Sequence, residues 1–237
     1  MVYKNFIFLG TSHISKQSLE EVESSILTEK PDFVALELDE ARFHAIMQPQ
    51  KPDLSIRNAL RFGIKGYIFA LLGAWAEKKL GELTGVPPGS EMKHAILLAK
   101  QHNIKIALVD QHIETTLRRF SKSITWKEKF NFAMDMLKAV FSKKRKAEFD
   151  IRKVPEEAII KKLLSQVKKR YPNVYKVLIT ERNKAISQNL INLSSKNPDK
   201  RILVVLGAGH ISDVVKILKK HCDKQYVKFN KSGVLIV

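Results

Sequence analysis

Ile202-Leu203-Val204-Val205-Leu206-Gly207-Ala208-Gly209-His210 is the stretch whose reading decides the fold. Five apolar residues follow one another without polar alternation, the pattern of a strand covered on both faces in a parallel sheet. A glycine stands where strand gives way to loop, and a histidine follows three residues later, at the expected start of the next helix. The same pattern occurs near the beginning of the chain, where Phe6–Leu9 runs into Gly10-Thr11-Ser12-His13. Two further strands are expected at Phe33–Glu37 and Ile104–Val109, and a fifth at Tyr226–Phe229.

Helical periodicity alternates with these runs. Residues 15–30 place Leu19, Val22 and Ile26 on one face, with Ser18-Leu19-Glu20-Glu21 read as a capping box. A second helix is expected from Ser90 to His102, turning Met92, Ala95, Leu98 and Ala99 inward. Pro155-Glu156-Glu157 opens another, whose Ile159, Ile160, Leu163, Leu164 and Val167 form a core stripe. Helices over 173–195 and Ser212–His221 complete the set. The expected class is α/β: an open, mostly parallel sheet with right-handed crossovers and long helical insertions. One domain spans 1–237, with its core in 1–52, 88–112 and 197–237 and insertions over 53–82 and 113–196. Pro87-Pro88-Gly89 reads as a loop.

Ligand sites in open α/β sheets lie at the carboxyl ends of the strands. Here those ends deliver Gly10-Thr11-Ser12-His13, Glu37-Leu38-Asp39-Glu40 with Arg42 close behind, Asp110-Gln111-His112, and Gly207-Ala208-Gly209-His210. An imidazole at a helix N-terminus is held towards the neutral form that a general base or metal ligand requires. One such histidine is ordinarily a cap or a packing residue; two in equivalent positions, with carboxylates between them, point to a site. Glu37 closes an apolar strand and is costly to bury without a metal, a cation or a proton, whereas Asp39 and Glu40 suit a surface turn. Glu181 and Arg182 fall in or beside the apolar arc of their helix, as a structural Glu–Arg pair or as site members, and Glu91 lies on the inward side of its helix.

Several chemistries are excluded. Gly207-Ala208-Gly209 lacks the third glycine of a dinucleotide fingerprint. There is no phosphate-binding Gly-Lys-Ser/Thr loop, no Gly-x-Ser-x-Gly elbow and no His-Glu-x-x-His helix. Cys222 is the single cysteine of 237 residues, so a disulfide within the chain and a thiolate zinc site are ruled out and the cytoplasm is the expected compartment. The longest uncharged apolar run, Tyr67–Ala76, falls short of the ~20 residues of a spanning helix and reads as a core or homodimer-interface helix. The net charge is +18. Residues 118–170 hold 17 basic against 6 acidic side chains, so this block carries most of the excess. It is read as a solvated helical surface, or as one that meets an anionic membrane; nucleic acid is disfavoured because aromatics do not interleave with the charges.

Gly10-Thr11-Ser12-His13, Glu37-Leu38-Asp39-Glu40-Ala41-Arg42, Gly89-Ser90-Glu91-Met92, Asp110, Thr116-Leu117-Arg118-Arg119, Glu181-Arg182 and Gly207-Ala208-Gly209-His210 together resemble the TraB family, in order over residues 6–215. That family groups with PrgY, GumN and Tiki proteins and, more distantly, with erythromycin esterases and haem-binding ChaN. The resemblance implies an α/β fold with both histidines and the glutamates in one cleft. Tiki-like members are metal-dependent proteases, and TraB and PrgY members shut down peptide pheromone signalling. Carried over, His13 and His210 match the motif histidines, Glu37 and Glu40 the glutamate pair, and Glu181 and Arg182 a helical Glu-Arg pair. Asp110-Gln111-His112 departs from the family's Asp-Arg-Asp. Many prokaryotic relatives continue into membrane helices, so the chain is expected to be either a soluble member or part of a longer protein.

The expected function is a metal-dependent hydrolase, a peptidase, in which His13, Glu37 and His210 hold zinc, manganese or cobalt. Glu40 or Glu181 would act as base and Arg182 would stabilise developing charge, while Arg42, Glu91, Asp110 and Arg119 bind substrate. The alternative is a non-catalytic protein of the pheromone-shutdown type that sequesters a peptide or cofactor in the same cleft.

Overall fold

A computed structural model describes residues 1–11, 16–48, 89–141 and 157–231. Five strands form one sheet in the order β1-β2-β5-β3-β4. They are β1 (Val2–Tyr3), β2 (Phe6–Thr11), β3 (Phe33–Leu36), β4 (Lys105–Leu108) and β5 (Ile202–Gly207). All neighbouring pairs are parallel except β1 with β2, a short antiparallel edge that turns through Lys4 in the left-handed region (φ 51°). The mostly parallel α/β class expected from the sequence is the class observed.

The last strand takes the central place. β5 pairs with β2 on one side, Gly10 opposite Leu206 and Thr11 opposite Gly207, and with β3 on the other, Leu36 opposite Val205. Its residues alternate between two cores. Ile202, Val204 and Leu206 pack with Ile186, Leu190, Val214 and Leu218, whereas Leu203 and Val205 pack with Val22, Ile26, Ile96 and Ala99. All six residues of β5 are buried, which is why its sequence shows no polar alternation.

Among the described residues the helices are α1 (Lys16–Glu29), α2 (Glu40–Met47), α3 (Ser90–Gln101), α4 (Ile113–Ser123), α5 (Trp126–Phe141), α6 (Glu157–Arg170), α7 (Pro172–Tyr175), α8 (Arg182–Lys196) and α9 (Ala208–Lys231). A π-helical segment, Lys176–Glu181, joins α7 to α8. α3 buries Met92, Ala95, Leu98 and Ala99 as its periodicity requires. It closes through Asn103 at φ 56°, with Ile104 N–H bonded to Ala99 O (2.8 Å) and Asn103 N–H to Lys100 O (3.2 Å).

Four expectations are corrected. Residues 226–229 continue α9 instead of forming a strand, since a short apolar run has no period that separates the two. α9 also starts at Ala208, directly from β5, not at Ser212. Ser18 is fully buried inside α1, which has begun by Lys16, so it is not an N-cap. The α6 stripe is not core: no residue of α6 is buried, and Leu163 and Val167 are 42% and 37% exposed. The insertion over 53–82, with Tyr67–Ala76, lies outside the described residues.

Gly10 is glycine because the first turn of α9 crosses the end of β2. A Cβ there would stand 2.9 Å from Ile211 Cδ1 and 3.3 Å from Ala208 Cα. The Ile211 methyl can yield, but the Ala208 backbone cannot do so without moving the strand end. Gly10→Ala is therefore expected to cost about 1–3 kcal/mol, read as a lower urea midpoint at unchanged slope.

Candidate functional site at the strand ends

The parallel register puts the carboxyl ends of β2, β5, β3 and β4 along one edge of the sheet. Glu37 follows β3 with its N–H bonded to Val205 O (3.2 Å), which turns its carboxylate in beside the end of β5. That carboxylate is buried. Oε2 accepts the Gly207 N–H at 2.6 Å, and Oε1 accepts from Arg182 Nη2 and lies 3.3 Å from His210 Nε2.

His210, in the first turn of α9, is 6% exposed. Its Nδ1 lies 2.6 Å from Asn183 Oδ1, and Asn183 Nδ2 donates to Asp213 Oδ2 at 3.3 Å. Asp213 can only accept, so the amide oxygen of Asn183 must face the histidine, and the network assigns the imidazole proton to Nδ1. Nε2 faces Glu37 Oε1 (3.3 Å) and Arg182 Nη1 (3.4 Å). Ser187 Oγ donates to the Asn183 carbonyl (2.7 Å), and Asn183 is itself buried. Burial first, then the Asp213 carboxylate, push the Tyr175 phenol above its ordinary pKa.

Arg182 is the hinge of the cluster. The π-helical segment before it brings its guanidinium into the sheet edge, where Nε donates to Asp110 at 3.0 Å and Nη2 to both Asp110 and Glu37. Burial alone would make the guanidinium easier to deprotonate, but Glu37 and Asp110 outweigh it and hold its pKa above the ordinary value. Asp110 is also held by Arg42 Nη2 at 2.6 Å, and Arg42 Nε reaches Asp39 at 3.0 Å. One chain of charges thus runs from Asp39 through Arg42, Asp110, Arg182 and Glu37 to His210.

Asp39 is the correction here. Placed on a surface turn by its sequence context, it is 3% exposed and caps two helices at once, accepting Arg42 N–H at the start of α2 (3.0 Å) and Ile113 N–H at the start of α4. Burial raises its pKa, but those two N–H groups and the Arg42 guanidinium outweigh it and hold the carboxyl below the usual range. A depressed folded-state pKa gives stability that is complete above the unfolded-state pKa of about 4 and is lost as pH falls through the folded value. Asp39→Asn is expected to cost about 1–2 kcal/mol at pH 7, and to flatten the stability–pH curve below about pH 4, by urea titration across pH 2–7.

The other candidates separate. Glu181 and Arg182 do not pair with each other: Glu181 takes Arg119 at 3.0 Å on the rim, where Arg119 is 53% exposed. Glu40 stands exposed on α2, 3.9 Å from the His44 imidazole. Glu91 is buried in the first turn of α3, as expected for an inward position. His112 is exposed at the N-cap position of α4. His13 and Ser12 lie outside the described residues. Asn183 and Asp213 were missed by sequence reasoning; one signal was available, since both lie one helical turn or less from singled-out residues, Arg182 and His210. Among the described residues no group of three or more His, Cys, Asp or Glu side chains is placed to hold a metal ion, and no helix is long and apolar enough to cross a membrane.

A parallel α/β sheet with a buried imidazole, two carboxylates and a guanidinium clustered at its strand ends defines a class, and comparison with known proteins gives it a family. The model of the TraB/PrgY/gumN family matches residues 4–227, and the chain belongs to that family. An uncharacterized protein of Methanocaldococcus jannaschii is 37% identical over 220 residues, covering 90% of this chain and 53% of its own length. The TraB domain-containing proteins of Bos taurus and Homo sapiens are each 21% identical over 232 residues, covering 88% of this chain and 61% of theirs. The chain therefore spans little more than half the length of the curated relatives it matches.

Proposed function

We propose that this protein is a peptide hydrolase whose strand-end site, His210 and Glu37 with His13, holds a divalent transition metal. The observation that carries the reading is the orientation of His210. Its Nδ1 proton is committed to Asn183 Oδ1, so Nε2 is the nitrogen turned towards Glu37 Oε1, at 3.3 Å. A second group that fixes the tautomer in this way is the usual support of a metal-ligating imidazole. Two tetrahedral ligands at about 2.0–2.1 Å from a common ion stand about 3.3–3.4 Å apart, so the spacing suits a shared cation. Glu37 Oε1 also accepts from Arg182, which a carboxylate oxygen with two lone pairs can do alongside a second partner.

A divalent ion there would supply Lewis-acid polarisation and water activation near neutral pH. The rest is done by the protein. His210 and Glu37 are held from behind by Asn183 and the Gly207 N–H. Arg182, protonated and anchored by Asp110, stands 3.4 Å from His210 Nε2, where negative charge developing on a scissile carbonyl would meet it without reorganisation. Arg119, exposed at the rim, is available to a peptide carboxylate by exchanging its contact with Glu181, and the freed Glu181 is a candidate base. The second reading, sequestration of an intact peptide or cofactor, is favoured by one feature: Arg182 already satisfies both Glu37 and Asp110, a preformed ionic cluster that needs no turnover to bind.

The test is elemental analysis of tag-free protein after loading with zinc, manganese and cobalt in turn, wild type beside a His13→Ala/His210→Ala variant, followed by mass spectrometry of a peptide library incubated with each. Near-stoichiometric metal lost in the variant, with cleavage products from the wild type alone, is the expected result. No metal in either protein overturns the metal reading, and recovery of every peptide intact but retained moves the assignment to sequestration.

A further inference from the structure

Helix α5 packs by its polar side and shows its apolar side to solvent. At about 100° per residue, Glu128, Asn131 and Asp135 occupy one arc, and they are the residues that fasten the helix. Glu128 is buried and accepts Asn173 N–H (2.7 Å), Asn173 Nδ2 (3.0 Å) and its own cap, Thr125 N–H (3.1 Å). Asn131 donates to Arg170 O (3.3 Å), and Asp135 accepts from the Arg170 guanidinium and the Tyr171 hydroxyl. On the opposite arc Trp126 is 83% exposed and Phe130 67%, one turn apart, with Ala133 in the next turn also exposed.

The charge around this row is of one sign. Lys127 and Lys129 flank it, and Lys129 Nζ sits 3.9 Å from the Trp126 ring centroid. The end of α6, fastened to the polar arc through Arg170, brings the exposed Lys169 up on the Lys127 side. Between the start of α5 and the end of α6 opens a cavity of about 610 Å³ whose lining includes Lys127, Gln166, Lys169 and Arg170.

We infer that α5 is an interfacial anchor: Trp126 and Phe130 enter the headgroup region of an anionic lipid bilayer, and Lys127, Lys129 and Lys169 meet its phosphates and carboxylates. An exposed Trp–Phe row bordered by lysines suits a surface that is apolar below and negative at its rim. A second copy of the chain would bring two lysine-rich faces together. A nucleic-acid strand would need aromatic rings interleaved with the charges along its path, whereas Trp126 and Phe130 form one short row. The inference rests on α5 and α6 alone and is independent of the strand-end chemistry.

The chain has two tryptophans, so Trp75→Phe leaves Trp126 as sole reporter. That protein is titrated with vesicles of phosphatidylcholine alone and with 30 mol% phosphatidylserine (roughly the anionic share that draws basic segments). The expected result is a blue shift of Trp126 emission and cosedimentation with the anionic vesicles, weakening as salt rises. Lys127→Gln and Lys129→Gln should each lower partitioning about fivefold, and Trp126→Ser/Phe130→Ser about tenfold or more. Trp126, Lys127 and Phe130 are exposed and Lys129 is half-buried with its ammonium over the Trp126 ring, so unchanged circular dichroism is expected of the variants at these four positions. Equal binding to both vesicle types, undiminished binding by the serine variant, or a blue shift that grows with protein concentration without lipid each overturns the inference, the last in favour of self-association.

Discussion

His210→Ala is expected to lower hydrolysis of a peptide substrate by about 10²–10⁴-fold and to abolish metal uptake at the strand-end site. His210 Nε2 faces both Glu37 Oε1 and Arg182 Nη1, at 3.3 and 3.4 Å. Removing the ring takes away the proposed ligand and leaves Asn183 Oδ1 buried without its donor, a cost of about 1–3 kcal/mol to the fold. A structural loss and a chemical one can be told apart. Asn183→Ala leaves the imidazole in place but frees its tautomer, so it should weaken metal affinity about 10–100-fold while the protein stays folded. Isothermal titration with zinc and steady-state kinetics on both variants provide the check. A His210→Ala protein with full activity and full metal uptake would sink the assignment.

Arg182→Met carries the largest expected effect on stability. The guanidinium is 15% exposed and neutralises Glu37 and Asp110, whose side chains are 4% and 0% exposed. Deleting one member of a buried ionic cluster strands the others, which costs about 3–5 kcal/mol. For a chain of this size that is a fall in melting temperature of about 6–20 °C. Arg42 still reaches Asp110, so Glu37 bears most of the uncompensated charge. Arg182→Met with Glu37→Gln should therefore recover much of the loss, though not the activity. If the single variant melts within a degree of wild type, the cluster is not what holds the strand ends together.

These effects bear on how the site could be read in advance. Glu37 and Arg182 were legible because each is a charge at a position where an apolar residue belongs: the end of a continuous strand for one, the apolar arc of a helix for the other. Asp39 was misread for the opposite reason. It sits among polar neighbours at a helix start, and its burial comes from α4 packing across it, 74 residues away in the chain. Asn183 carried no charge to mark it. The supposed pairing of Glu181 with Arg182 failed because adjacent helical residues point about 100° apart, and each found a partner on another element.

The four parallel strands, β2 to β5, most of the helices and the residues at the strand ends were determined by the sequence alone. A doubly covered strand must be apolar at consecutive positions, a helix repeats its apolar residues every three or four, and both patterns are local. Which ends lie side by side was decided only by the tertiary structure. β5, last in the chain, inserts between β2 and β3, and that long-range pairing alone brings His210 to Glu37 across 173 residues of sequence. The direction in which α5 faces is of the same kind. Its arcs went unread in the sequence, and the hydrogen bonds from Asn173, Arg170 and Tyr171 select the polar one for packing, because a carboxylate with several donors is stabilised where an unpartnered one is not.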